Sequence, residues 1–192
     1  MVANTEQEPS LSVPQHTRER QHQFKMKKET ARKIDWYPEW CTGAPTPFVY
    51  SNGNKVFLTY IIADSESITE DIKTLNETSD DCQENMALVE FDGATFKYGV
   101  ANDEVLNGLP LYGNGLEFYS AHIIEHSKWL KEIDAIHSVH PGYDPKRRED
   151  LRHFMLLFHD ELLEVIARTF TVEVFRASMK SMAIEVVKRM NE

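Results

Sequence analysis

The stretch His153–Ala167, HFMLLFHDELLEVIA, sets two histidines, an aspartate and two glutamates inside one of the most apolar parts of the chain. A run this short fits either helical or strand periodicity. As a helix, it puts His153, Asp160 and Glu164 on one face. As a hairpin, it points His153, Met155, Leu157 and His159 one way and Phe154, Leu156 and Phe158 the other. The hairpin is the better expectation. TFTVEVF at 169–175 alternates as a strand, and no glycine or proline separates it from the run before it.

A turn at Asp160-Glu161 would set Leu157 opposite Glu164, with His159 its diagonal neighbour about 7–8 Å away. His153 would then lie about 20 Å along the strand from His159. The expected pair is therefore His159–Glu164, with Asp160 in the turn and His153 outside the cluster. A two-residue primed turn needs positive φ at both central residues, which suits Asp-Glu poorly, so a corner of three or four residues is favoured.

Working outward, MALVEF-DG-ATFKYGV at 86–100 sets Asp92-Gly93 between two strand-like runs, a hairpin signature. KVFLTYII at 55–62 follows the turn signal SNGN and reads as a buried strand. LEFYSAHIIEHSKWLKEIDAIHSV at 116–139 carries Leu116, Tyr119, Ile123, His126, Leu130, Ile133 and His137 at three- and four-residue steps, so a helix is expected there. HPGYDP at 140–145 ends it, and a second amphipathic helix is expected at 177–190. The fold class is thus α+β: a mostly antiparallel sheet of about five strands, one central helix and a C-terminal helix.

The 34–50 segment holds Trp36, Tyr37, Trp40 and Phe48 among three prolines, too broken for regular structure. It is expected to lie on the domain as a core lid, with an aromatic binding surface as the alternative. Residues 64–85 carry eight acids against Lys73 alone and read as a solvated acidic loop, with a short helix capped by Ser67 or Thr69. Residues 1–33 form a polar arm, disordered or weakly helical, and 34–192 a single domain.

Composition bounds the function. Hydrophobic residues make up 41% of the chain, as in a soluble globular protein. The arm holds seven Lys or Arg against four acids, and the body holds 14 against 27. An acidic body excludes broad phosphate-backbone binding. No apolar run reaches the roughly 18 residues of a membrane span, and the N-terminus lacks the pattern of a secretory signal. Cys41 and Cys82 have no paired spacing, which suits a reducing compartment, so a cytoplasmic protein is expected.

Two constellations carry chemistry. HIIEH at 122–126 would, on a helix, set His122 and His126 one turn apart as metal ligands with Glu125 as general base. The second is His159, Asp160 and Glu164, joined by His140 and by Asp103 and Glu104 from the glycine-rich loop at 101–115. That cluster could do acid–base work or hold a divalent metal through His159 and Glu164.

The closing block His153, Phe154, Phe158, His159, Asp160, Glu164 and Ala167 resembles a motif in a family of uncharacterised bacterial conserved proteins. The resemblance spans roughly 86–175. It takes in Asn102, Asp103, Glu104, Leu106, Gly108, Pro110 and Leu111, then Ser127 and Trp129, then His140 and Pro141. That family has a histidine where this chain has Leu109, and it lacks His-x-x-Glu-His. The resemblance implies a grouping at the level of fold and no mechanism. The expected function is a non-catalytic protein-interaction domain with an unidentified protein partner and no resident cofactor. The alternative is a divalent-metal-binding or hydrolase-like enzyme using His159, Asp160 and Glu164.

Overall fold

The computed structural model describes residues 27–63, 72–75, 82–93 and 95–191. The expected arm up to residue 26 and most of the acidic loop lie outside the described residues. In chain order the strands are β1 (Thr30–Lys33), β2 (Phe48–Ser51), β3 (Val56–Ile61), β4 (Lys73–Thr74), β5 (Glu84–Phe91), β6 (Thr95–Val100), β7 (Ala121–Glu125), β8 (Arg152–Leu157), β9 (Glu161–Ala167) and β10 (Phe170–Ala177). Helix α1 (Lys128–His137) follows β7, and α2 (Met179–Arg189) follows β10. Single 3₁₀ turns occupy Asp103–Gly108 and Pro145–Arg148.

The α+β class holds, but the strands make two five-stranded sheets rather than one. The first runs β1-β7-β8-β9-β6 and the second β2-β3-β5-β10-β4. All pairs are antiparallel except β10 with the two-residue β4. The sheets stack on a shared core. Val56, Leu58, Tyr60, Val89 and Phe91 meet Phe154, Leu156, Phe158, Leu163 and Val165 across it. Side chains of this kind each contribute about 1.5–3 kcal/mol on full burial. Trp36 and Trp40 close one end of the core, Trp36 stacked on Phe170 and Trp40 tilted against Phe158, with ring centres 4.6 Å apart in each pair. The aromatic segment is thus a core lid, and Trp36 Nε1 donates to Tyr60 Oη at 2.9 Å.

β8 and β9 form the expected hairpin, and the alternation of faces is as read. Phe154, Leu156, Phe158, Leu163 and Val165 point between the sheets. Met155, Leu157 and Leu162 point to the outer face. The turn is one residue earlier than Asp160-Glu161. Phe158 N–H donates to Glu161 O at 2.9 Å, so His159-Asp160 is the two-residue loop. Neither loop residue takes a positive φ, which removes the objection to a tight turn. The pairing slips by two residues as a result: Leu157 faces Leu162, and Glu164 faces Met155.

Three expectations are corrected. Asp92-Gly93 is no hairpin turn. β5 pairs with β3 and β10, while β6 pairs with β9 in the other sheet. The dipeptide is a corner between sheets, held by Asp92 N–H to Thr169 O and Arg168 N–H to Asp92 O, each 3.0 Å. A Cβ on Gly93 would sit 2.2 Å from Ile166 O, so the glycine serves close approach to β9. Second, the central helix does not form as one element. Residues Ala121–Glu125 are a strand between β1 and β8, bracketed by positive φ at Tyr119 and His126. Only the second half is helical, and α1 buries none of its residues fully. Third, the arm ends earlier than residue 33. Thr30–Lys33 pairs with β7 as an edge strand, with Ala31 turned inward.

The outer faces are covered differently. On the second sheet, Met182 and Val186 of α2 pack on Phe57, Met86, Leu88 and Phe175. On the first, Leu106 and Leu111 of the 101–115 loop pack on Ala31, Ile124, Met155 and Leu157. No helix of the described residues is long and apolar enough to cross a membrane.

Candidate functional site

The loop cover of the first sheet leaves a cleft of about 330 Å³ between residues 109–111 and the start of α1. Its walls are apolar: Leu109, Pro110, Leu111, Trp129, Met155 and Leu162. His153 and Glu164 lie at its floor, with Lys97, Lys128, Glu29 and Glu132 around it. The strand period explains the pairing. Residues 153 and 164 both point to the outer face of β8 and β9, one diagonal step apart.

His153 is 3% exposed and sits between two groups. Ser127 Oγ is 2.9 Å from its Nδ1. Glu164 Oε2 is 2.8 Å from its Nε2. Both contacts are within hydrogen-bond distance, and the Nε2 atom is sealed from solvent. Ser127 is itself fixed, because its Oγ caps α1 by accepting Leu130 N–H at 3.0 Å. A carboxylate 2.8 Å from Nε2 requires a proton there. Burial alone would raise the Glu164 carboxyl. The His153 contact and the Lys97 charge outweigh it and hold the carboxyl below its ordinary range. Lys97 Nζ lies 3.7 Å from Glu164 Oε1 and 3.9 Å from the centre of the Trp129 ring, a cation–π contact. Trp129 in turn meets the His153 ring edge-on at 5.1 Å.

The expected His159–Glu164 pair does not form, because the register gives Glu164 to His153. His159 instead sits in the β8–β9 turn, beside a second cluster. Its Nδ1 is 3.0 Å from Tyr119 Oη and 3.2 Å from Asp103 Oδ2. Tyr119 O–H donates to Asp103, which lowers the Asp103 carboxyl and raises the phenol. Asp103 N–H also donates to His159 O at 3.0 Å, fixing the glycine-rich loop to the turn. The expected joining of Asp103 to His159 is therefore present. Asp160 and Glu104 are exposed, and His140 accepts Gly142 N–H within its own turn.

The His122–His126 pair fails on geometry. On a strand four residues span about 13 Å, not one helical turn. His122 is fully buried, and its Nε2 accepts Glu117 N–H at 3.2 Å. Burial lowers its pKa, so it is a neutral core histidine. Among the described residues, no three His, Cys, Asp or Glu side chains converge to hold a metal. In the aromatic segment Trp36 and Trp40 are in the core, while Tyr37 and Phe48 are exposed.

The sequence points to His159 rather than His153 as the centre, and no motif marks Lys97. Ser127 and Trp129 stand out there only through the resemblance. The available signal was parity: His153 and Glu164 share a face in any hairpin whose turn is an even number of residues long. In comparisons with known proteins, no family model, no curated protein and no solved structure matches the chain.

Proposed function

We propose that the protein is a non-catalytic binding protein that holds a small molecule in the cleft above His153 and Glu164. The observation that carries this reading is the apolar-walled cleft of about 330 Å³ with the His153–Glu164 pair and Lys97 among its lining residues. Concave, mostly apolar sites with a few convergent polar groups are the ordinary form of small-molecule sites.

The experiment is an NMR screen of the full chain with small neutral, anionic and cationic fragments. Bound fragments should move the Trp129 indole N–H and the His153 ring signals while leaving the core indoles of Trp36 and Trp40 in place. Fragments that map only to other surfaces would overturn the reading.

One observation favours a second reading. Ser127, His153 and Glu164 stand in the order nucleophile, base and carboxylate. Ser127 is only 4% exposed, and its oxygen is engaged in capping α1, which favours binding over covalent chemistry. Labelling of Ser127 by a fluorophosphonate, lost in His153→Ala, would reverse that preference.

A further inference from the structure

Lys97 occupies an unusual place for a lysine on an edge strand. Its stem leaves β6 and its ammonium lies over the Trp129 ring, within reach of Glu164 Oε1. An aromatic face beside a carboxylate is the chemistry that recognises an organic cation. The surroundings agree. With Lys97 set aside, the cleft carries Glu29, Glu132 and Glu164 against Lys128 alone. Lys128 is already turned to Glu29, at 3.7 Å. The Lys97 side chain is 53% exposed, so its ammonium can leave for water without unpacking the core.

From these contacts we infer that Lys97 is an internal stand-in for the ligand, and that the cleft takes a small organic amine. The ligand's ammonium replaces that of Lys97 between Trp129 and Glu164. Its apolar body lies along Pro110, Leu111 and Met155. Because Lys97 competes for the same place, the native protein binds such amines weakly. Removing the lysine charge, or drawing it elsewhere, uncovers the site. This inference rests on the cleft being a ligand site and adds the ligand's charge and the competitor.

The test compares wild type with Lys97→Met, which keeps an unbranched apolar stem and removes the ammonium. Each is titrated by calorimetry with ethanolamine, choline and 5-aminopentanol, and with 1,5-pentanediol and glutarate as neutral and anionic controls. The expected result is at least tenfold tighter binding of one or more of the amines by Lys97→Met, with the controls unchanged. Glu164→Gln on the Lys97→Met background should remove the gain. Equal gains for amine and diol, or no gain for any amine, overturn the inference. If glutarate or the diol binds at Trp129 while no amine does, the cleft survives as a ligand site and the cation assignment fails. If no probe binds either protein at Trp129, both fail together. Lys97→Met alone decides the question should Glu164→Gln prove unstable, since Lys97 is at the surface.

Discussion

The two outer faces of this sandwich are built from similar strands and finished in opposite ways. On the second sheet, α2 lays Met182 and Val186 into the surface and closes it with a charged clasp, Arg189 on Glu173 and Glu185. On the first, an irregular loop and a peripheral helix cover the same kind of surface and leave a cleft between them. A helix presents a continuous apolar stripe, so it seals. A loop with three glycines and one proline contributes separate apolar residues, here Leu106 and Leu111, and the space between them stays open. The difference leaves one face sealed and the other with an open cleft.

Equal deletions on the two faces sharpen that contrast most. Met182→Ala should cost about 2–5 kcal/mol, the range for a buried methionine in a sealed core. Met155→Ala should cost clearly less, because its side chain borders the cleft and the site can relax or hydrate. Urea unfolding measures both, and equal losses would break the comparison.

Glu164→Gln should be next in size, about 1–3 kcal/mol, because it removes the carboxylate that the buried His153 Nε2 contacts at 2.8 Å. The same change should free Lys97 from the cleft, visible as a shift of the Trp129 indole signal.

Acid stability separates the faces by pH. Arg189, with Lys73, holds the Glu173 carboxyl down at about 2, from an ordinary 4.5. A carboxyl depressed on folding stabilises above its unfolded pKa, and that contribution is lost as pH falls from 4.5 towards 2. Glu173→Gln should therefore flatten the acid limb of the unfolding profile in that window. Its effect should vanish below it.

The smallest expected effect is at the turn cluster. Tyr119→Phe removes the hydrogen bond that most lowers the Asp103 carboxyl. NMR titration should find the Asp103 pKa raised, with binding in the His153 cleft unchanged. A change in cleft binding would mean the two clusters act as one.

What could be read from the sequence followed physical periods, and what could not followed competition between distant strands. The alternation in His153–Ala167 fixes which residues share a face, and those faces are the ones observed. The partners across the hairpin depend on one turn residue, and that shift moved Glu164 from His159 to His153. Asp92-Gly93 reads locally as a hairpin. β10 takes the β5 edge that β6 would have needed, a choice made by residues far along the chain. Ala121–Glu125 fits a helical stripe, but its flanking strands supply two ladders, and Ile123-Ile124 suits the pleat. Lys97 carried no motif, since its meaning comes only from Trp129 and Glu164 arriving beside it.

The paired corners at Asp92 and Arg168 have a consequence for how the chain is made. β5 leaves one sheet as β6 enters the other, and β9 and β10 repeat the exchange beside it. Until β10 emerges, β5 has an open edge and β9 has no exit into the second sheet. β10 therefore joins both halves at once, after β1 to β9 have been made. Such distant pairing folds on the slow side, in milliseconds to seconds. Through that interval the nascent chain carries the bare β5 edge that chaperones and neighbouring chains would meet first.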